Sequence, residues 1–213
     1  MLGLLLAFIA GSLNAGGFLI VAQYTSHMSG MVSTVADDLV LGLMQPLRMA
    51  LAGIGAFLCG AITCSLIVNW ARRRNIAGQY ALPLLLEGIL ILGFAAFELF
   101  TSNIPHRTGI AIIWLCFIMG LQNATITKAS GARIRTTHVT GITTDIGIEL
   151  GKLVYGLTDM PKLTLLTGLL ACFFCGGAIG ALGFKTLGPV FAIPFGLLLL
   201  IVALPPLLKR FEA

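Results

Sequence analysis

The sequence is poor in charge. Charged residues make up 10% of its 213 residues, whereas hydrophobic residues make up 58%. A soluble globular domain carries about a quarter charged residues. The mean hydropathy is +1.01, and the apolar residues fall in long blocks. The low charge therefore excludes a soluble domain and predicts an all-α integral membrane protein embedded in the lipid bilayer.

Runs of basic residues interleaved with aromatic residues are also lacking, so we exclude nucleic acid as a partner. The net charge of +5 comes from Lys and Arg residues gathered at the ends of apolar blocks, as positive-inside anchoring requires. The first apolar block has no basic stretch before it and continues to Ala22. We therefore interpret it as a membrane span and not as a signal peptide.

Patterns of known metal and nucleophile chemistry are absent as well. The sequence has no HExxH and no GxSxG, and we expect no enzyme. All five cysteines lie inside apolar blocks. Cys172 and Cys175 have the spacing of a metal-binding pair, but no second pair accompanies them. We interpret the cysteines as packing residues and expect neither a metal nor a cofactor.

What the sequence does contain is an internal repeat. Each copy has a glycine, an asparagine three residues later, and then a His-x-(Ser/Thr)-Gly motif. The matching residues are Gly11, Asn14, His27, Ser29 and Gly30 in the first copy and Gly120, Asn123, His138, Thr140 and Gly141 in the second. Phe-x-Cys-Gly follows in both, at residues 57–60 and 173–176. We infer two homologous membrane repeats, residues 1–100 and 109–213, which form one membrane domain.

The hydropathy pattern leaves two topologies open. Six apolar segments are long enough to span a bilayer; they are residues 2–22, 47–68, 82–100, 109–127, 163–184 and 188–208. Two more polar segments, residues 27–44 and 136–157, occupy matching places in the two repeats. If both polar segments cross fully, the chain has eight spans and its Lys and Arg residues divide almost evenly between the two sides.

If each polar segment instead enters and leaves on one side, most basic residues lie on the side of both termini. The positive-inside rule then favours six spans with both termini cytoplasmic. The fold would be a 3+3 inverted-topology repeat with one broken or re-entrant polar helix per half, an architecture that recurs in transporters. Small residues spaced four apart, among them Gly60 and Gly176, predict close helix packing at the repeat interface, with a homodimer face as the alternative.

Polar groups at membrane depth are costly and mark candidate functional residues. We expect a substrate-binding site formed by residues of both repeats: Asn14, His27, Ser29, Gln122, Asn123, His138, Thr140, Asp145 and Glu149. The glycine of each His motif would permit a helix break, which frees backbone groups for a ligand. Asp145, Glu149 or His138 would carry a coupling proton. Alternatively, the two histidines only hold the broken segments together.

The motifs also resemble a known family. Gly-Leu-Gln-Asn-Ala at 120–124, Arg-Thr-Thr-His-Val-Thr-Gly-Ile-Thr-Thr-Asp-Ile-Gly at 135–147, Asn-Ala-Gly-Gly-Phe at 14–18 and His-Met-Ser-Gly at 27–30 are similar to the YoaK family of small bacterial inner-membrane proteins of unknown function. The resemblance covers nearly the whole chain. It implies a bacterial inner (plasma) membrane location and a multi-pass body of six or seven spans, and it implies no substrate.

The sequence is compatible with three functions. The repeat, the broken-helix signals and the buried polar groups favour a small transporter or solute channel for an unknown small solute or ion. The alternative is a non-transporting assembly or regulatory subunit, whose polar residues would satisfy one another around no cavity. An intramembrane enzyme using His138 with Asp145 or Glu149 is the least favoured.

Overall fold

A computed structural model describes residues 1–76, 78–101, 105–132 and 134–208, and in this part of the chain every regular element is a helix. The last five residues of the predicted second repeat thus lie outside the described residues. The helices are α1 (Leu2–Val21), α2 (Met28–Leu41), α3 (Met44–Arg73), α4 (Ala81–Phe100), α5 (Arg107–Ala129), α6 (Val139–Leu153), α7 (Met160–Leu187), a short 3-10 helix (Gly188–Ala192) and α8 (Ile193–Leu208). The all-α prediction is confirmed.

Five helical stretches are long and apolar enough to cross a membrane. They are α1, α3, α4, α5 and the stretch Met160–Leu208, which comprises α7, the 3-10 helix and α8. The protein is therefore a membrane protein. By contrast, α2 and α6 have 14 and 15 residues and measure about 21–23 Å at about 1.5 Å per residue. Both are shorter than the roughly 30 Å hydrocarbon core.

Each short helix forms a hairpin with the long helix that follows it. Gly42 ends α2 with a left-handed φ of 72°, which only glycine adopts at little cost, and the chain reverses into α3. Met31 of α2 consequently packs against Gly53 of α3. In the second repeat, Ile142 of α6 lies in one buried cluster with Leu166 of α7. Glu149, nearer the turn, bonds to Lys162 near the start of α7, so this hairpin is antiparallel as well.

The long helices pair across the two repeats. α1 packs against α7, and α3 packs against α5. The two helices of each pair run parallel to each other. Gly11 of α1 lies on Phe173 of α7, and Gly16 lies on Phe184. In the other pair, Gly109 of α5 lies on Met49 of α3, and Gly120 lies on Phe57. A Cβ added at Gly11 would lie 2.1 Å from the Phe173 carbonyl oxygen. The helices therefore meet backbone to backbone, and the small residues expected at the repeat interface lie at these crossings.

The remaining contacts between the repeats are antiparallel. Gly17 of α1 lies on Leu115 of α5, while Gly3, near the other end of α1, faces Ile126. α4 and α8 likewise run in opposite directions, and they cross at Gly88 and Gly196. Each half therefore contributes its first and third helices to pairs with the other half, and its fourth helix packs on its counterpart.

Candidate functional site

The starts of α2 and α6 face one large cavity, of about 1000 Å³. Most of its polar lining comes from positions that match between the repeats. The matched pairs are Asn14 with Asn123, Ser26 with Thr137, His27 with His138, Met28 with Val139, Ser29 with Thr140, and Phe57 with Phe173. The cavity therefore lies where the two repeats meet. It collects six of the nine residues expected at the site, namely Asn14, His27, Ser29, Asn123, His138 and Thr140.

The two motif histidines precede the short helices, and their rings explain the glycines of the motif. A Cβ added at Gly30 would lie 2.1 Å from Cδ2 of His27, and one at Gly141 would lie 2.2 Å from Cδ2 of His138. Both glycines lie inside the first turn of their helices and have no positive φ. The expectation that they break a helix is therefore wrong, because the interruption comes before each histidine and the glycines make room for its ring.

The two asparagines hold these histidines in place. Asn14 Oδ1 accepts hydrogen bonds from the backbone N–H (3.3 Å) and the Oγ (3.0 Å) of Ser26. In the second repeat, Asn123 Oδ1 accepts from the backbone N–H of Thr137 (3.4 Å), and Asn123 Nδ2 donates to Thr137 Oγ1 (2.8 Å). In each repeat the first helix, α1 or α5, therefore fixes the position of the residue before the histidine. Because Asn14 lies about 18 Å from the start of α1, this tie brings the start of α2 back to the middle of that helix.

A buried polar network joins Asn123 and its neighbours to Glu87 of α4. Gln122 Nε2 donates to Glu87 Oε1 (2.7 Å), and Thr136 Oγ1 donates to Gln122 Oε1 (3.1 Å). Glu87, Gln122 and Thr136 are all buried. The first repeat has Leu13 where the second has Gln122, and Thr25 Oγ1 is left buried without a hydrogen-bond partner in the described part. Gln122, predicted to bind substrate, thus supports the cavity wall from behind.

Glu149 lies away from the cavity, at the far end of α6. Its carboxylate accepts hydrogen bonds from Lys152 Nζ (2.9 Å), the Asp159 backbone N–H (3.1 Å) and Lys162 Nζ (3.1 Å). Lys152 first, then the Asp159 N–H and Lys162, lower the pKa of Glu149 from its usual 4.5 to about 2. Asp145, one turn earlier on α6, is half-buried and also lies outside the cavity lining. Glu149 therefore fastens the α6–α7 hairpin, and neither carboxylate is carried into the site.

Because its pKa is lowered, Glu149 should stabilise the fold to an extent that depends on pH. A carboxylate whose pKa is lower in the folded than in the unfolded state stabilises the fold fully above its unfolded value, and that stabilisation is lost as the pH falls toward the folded value. Glu149→Gln should therefore melt well below wild type at pH 7, and the gap in melting temperature should shrink from about pH 4.5 downward. Thermal unfolding in detergent at pH 7, 5 and 3.5 measures this, with the exposed Asp37→Asn as the control. A gap that stays constant with pH would contradict it.

Several residues that line the cavity were not predicted from the sequence. Lys128 and Arg135 line the cavity, although in the sequence they are indistinguishable from positive-inside anchors. Phe57 and Phe173 also line it, and the repeat itself contained a signal for them, because they open the matching Phe-x-Cys-Gly stretches. A position that recurs in both halves of an internal repeat can be followed to the interface between them.

A second, smaller cavity of about 200 Å³ adjoins the same region. It is lined by Phe18, Thr34 and others, and it shares Tyr24 and His27 with the large cavity. The rings of Phe18 and Tyr24 stack with their centroids 4.6 Å apart. Tyr24 and His27 therefore form the wall between the two cavities.

Comparison with known proteins identifies the family to which the chain belongs. Residues 2–204 match the family described as "Protein of unknown function (DUF1275)". The chain is also 25% identical over 179 residues to the UPF0700 transmembrane protein YoaK of Bacillus subtilis (strain 168), covering 82% of this chain and 79% of that protein. No solved structure matches the chain. The resemblance expected from the motifs is confirmed, and the chain belongs to the DUF1275 family of membrane proteins.

Proposed function

We propose that the protein is a small transporter or solute channel of the bacterial inner membrane, with its solute site in the cavity between the starts of α2 and α6. The observation that carries the proposal is the cavity itself, because matched residues of two repeats line it. Solute sites of repeat-built transporters lie at the repeat interface near the membrane midplane, where interrupted helices present their ends.

The helix directions support the inverted topology. If α2 and α6 each crossed the bilayer, α1 and α5 would run in the same direction, and so would α4 and α8. Both pairs are antiparallel instead. In the first pair Gly17 contacts Leu115, whereas Gly3 contacts Ile126. In the second pair Gly88 contacts Leu200, whereas Gly196 contacts Leu92. Three spans per half with one re-entrant helix account for these directions. Both termini then lie on the side of Arg72 and Arg73, which the positive-inside rule makes cytoplasmic.

The wall formed by Tyr24 and His27 suggests how access is controlled. In the proposed topology the large cavity extends toward Lys128 and Arg135 on the cytoplasmic side, and the small cavity lies on the opposite side of His27. A shift of the Phe18–Tyr24 stack would join the two cavities. Alternating access of this kind moves one repeat or its gate around a fixed site.

The competing function is a non-transporting assembly or regulatory subunit. That function predicts polar residues that satisfy one another around no cavity. The Asn14 and Asn123 hydrogen bonds meet the first half of this expectation. The cavity does not meet the second, and His27 and His138 are exposed to it without capping their own helices. These two observations favour the transporter.

Ligand-dependent thermal stability tests the proposal. Purified wild type, His138→Ala and His106→Asn would be melted against a broad panel of small metabolites and ions at two pH values. His106 precedes α5 with a left-handed φ of 62°, which asparagine tolerates, and it lies outside the cavity lining. A solute at a hundred times its Kd adds about 2.7 kcal/mol of stability.

A solute that raises the melting temperature of wild type and His106→Asn, but not of His138→Ala, would support the site. The same solute should then enter proteoliposomes containing wild type faster than empty vesicles. If nothing in the panel binds, or if His138→Ala binds the solute as wild type does, the result would favour the assembly-subunit function.

A further inference from the structure

We propose that the solute of this cavity is a small dissolved anion that carries a carboxylate or phosphate group. The inference rests on the proposed function and adds the chemical class of the solute. Its main support is the charge of the cavity lining. Lys128 and Arg135 line the cavity together with His27 and His138, and none of the acidic side chains in the described part of the chain belongs to the lining.

Neither cationic side chain has an acidic partner among the described residues, so both can meet a ligand. Lys128 lies in the last turn of α5, and Arg135 lies on the segment that leads to His138. The ion pairs among the described residues involve other cations, namely Arg107 with Glu98 and both Lys152 and Lys162 with Glu149. Two cations without a partner acid beside a cavity form an attractive field for a negatively charged solute.

The three buried glutamates are held elsewhere by contacts of their own. Glu149 is bound by two lysines at the far end of α6. Glu98 pairs with Arg107 at the end of α4, and Glu87 bonds to Gln122 behind the cavity wall. A cationic solute would therefore enter this cavity without meeting a carboxylate. The distribution of charge favours an anion and disfavours a cation.

The neutral groups of the lining are also suited to an anion. Ser29 and Thr140 provide hydroxyl donors at matching positions beside the two imidazoles. Both short helices begin at the cavity and neither has a side-chain cap, so their positive ends add to the field of Lys128 and Arg135. Phe57 and Phe173 supply apolar surface. At about 1000 Å³ the cavity has room for an organic anion and not only for a bare halide.

Matched pairs of anions and neutral isosteres test the inference. Acetate and benzoate would be compared with acetamide and benzamide, and inorganic phosphate would be added as a third anion. Thermal unfolding of the full chain in neutral detergent at constant ionic strength reports binding, and flux into phosphatidylcholine vesicles reports transport. Wild type would be measured beside Arg135→Gln and beside Arg74→Gln, which removes an equal charge at an exposed site outside the cavity lining.

At least one anion is expected to stabilise wild type while its neutral isostere does not. Arg135→Gln should weaken that affinity about tenfold or more, the usual effect of losing a charged hydrogen bond. It should leave the melting temperature without ligand unchanged, because Arg135 is exposed and has no ion-pair partner in the described part. Arg74→Gln should bind and transport as wild type does.

Three results would overturn the anion. Equal binding or flux of the neutral isosteres would replace it with a neutral solute and leave the transporter intact. Phosphatidylglycerol added to the detergent is the lipid control. If it stabilises the protein, none of the dissolved anions does, and Arg135→Gln abolishes the effect, the bound anion is a lipid headgroup and not a dissolved solute. If no solute of the wider panel binds or crosses, the proposed function fails together with the inference.

Discussion

Replacing Gly120 by alanine is expected to destabilise the protein by more than about 3 kcal/mol, the upper end of the usual cost of overpacking. A Cβ at this position would lie 2.0 Å from the Phe57 carbonyl oxygen. That oxygen belongs to the backbone of α3 and cannot turn away as a side chain can. The helices α3 and α5 would have to separate along their whole crossing, which would also open the cavity wall beside Phe57.

The yield of folded protein in detergent and its melting temperature measure this effect. Gly55→Ala is the matched control, because Gly55 also lies in α3 and a Cβ there would meet nothing within 4 Å. The control should be neutral or slightly more stable, since alanine favours a helix over glycine by about 1 kcal/mol. Gly176→Ala, whose Cβ would lie 2.0 Å from the Phe8 carbonyl oxygen, should match Gly120→Ala. Equal melting of Gly120→Ala and Gly55→Ala would contradict the close crossing.

Asn123→Ala is expected to cost about 3 kcal/mol or more, and Asn14→Ala distinctly less. Asn123 is buried, bonds to both the backbone and the hydroxyl of Thr137, and donates to the Met119 carbonyl (2.9 Å). Its removal leaves the backbone N–H and the hydroxyl of the partly buried Thr137 without these partners, each at a cost of about 1–3 kcal/mol. Asn14 is half-buried and bonds only to Ser26 among the described residues.

The two substitutions occupy matching positions, so each is the control for the other. Thermal unfolding gives the difference in stability between the two variants. Solute binding to Asn14→Ala, the milder variant, then tests whether a displaced His27 impairs the site without general loss of structure. If the two variants melt alike, the second repeat does not depend on its larger network, and the importance assigned to Gln122 and Glu87 would be contradicted.

Much of the cavity lining was predictable because the two copies of the His motif are visible in the sequence. His27 and His138 share a motif, as do Asn14 and Asn123, and residues at matching places in two repeats tend to meet at the interface between them. What the motif could not reveal was the purpose of its glycines. Gly30 and Gly141 suggested a helix break, and only the position of each ring over its glycine explains them by the space the ring needs.

Glu149 illustrates the opposite case. In the sequence it is a carboxylate inside a polar segment flanked by apolar blocks, which marks a candidate for substrate or proton binding. Its environment depends on the turn between α6 and α7, which brings Lys162 beside it from 13 residues away. Sequence spacing does not reveal that contact, because it requires the two helices to fold back on each other.

The sequence by itself determined the membrane location and the helical class. These properties follow from local composition, since each apolar block partitions into lipid independently of its neighbours. Only the tertiary structure decided which helices pair. α1 meets α7, and α3 meets α5, at glycines that allow the two backbones to touch. A glycine in the sequence does not specify which helix will pack on it. It also decided that Lys128 and Arg135 face a cavity. A side chain's charge is written in the sequence, but the surface it faces depends on how the helices pack.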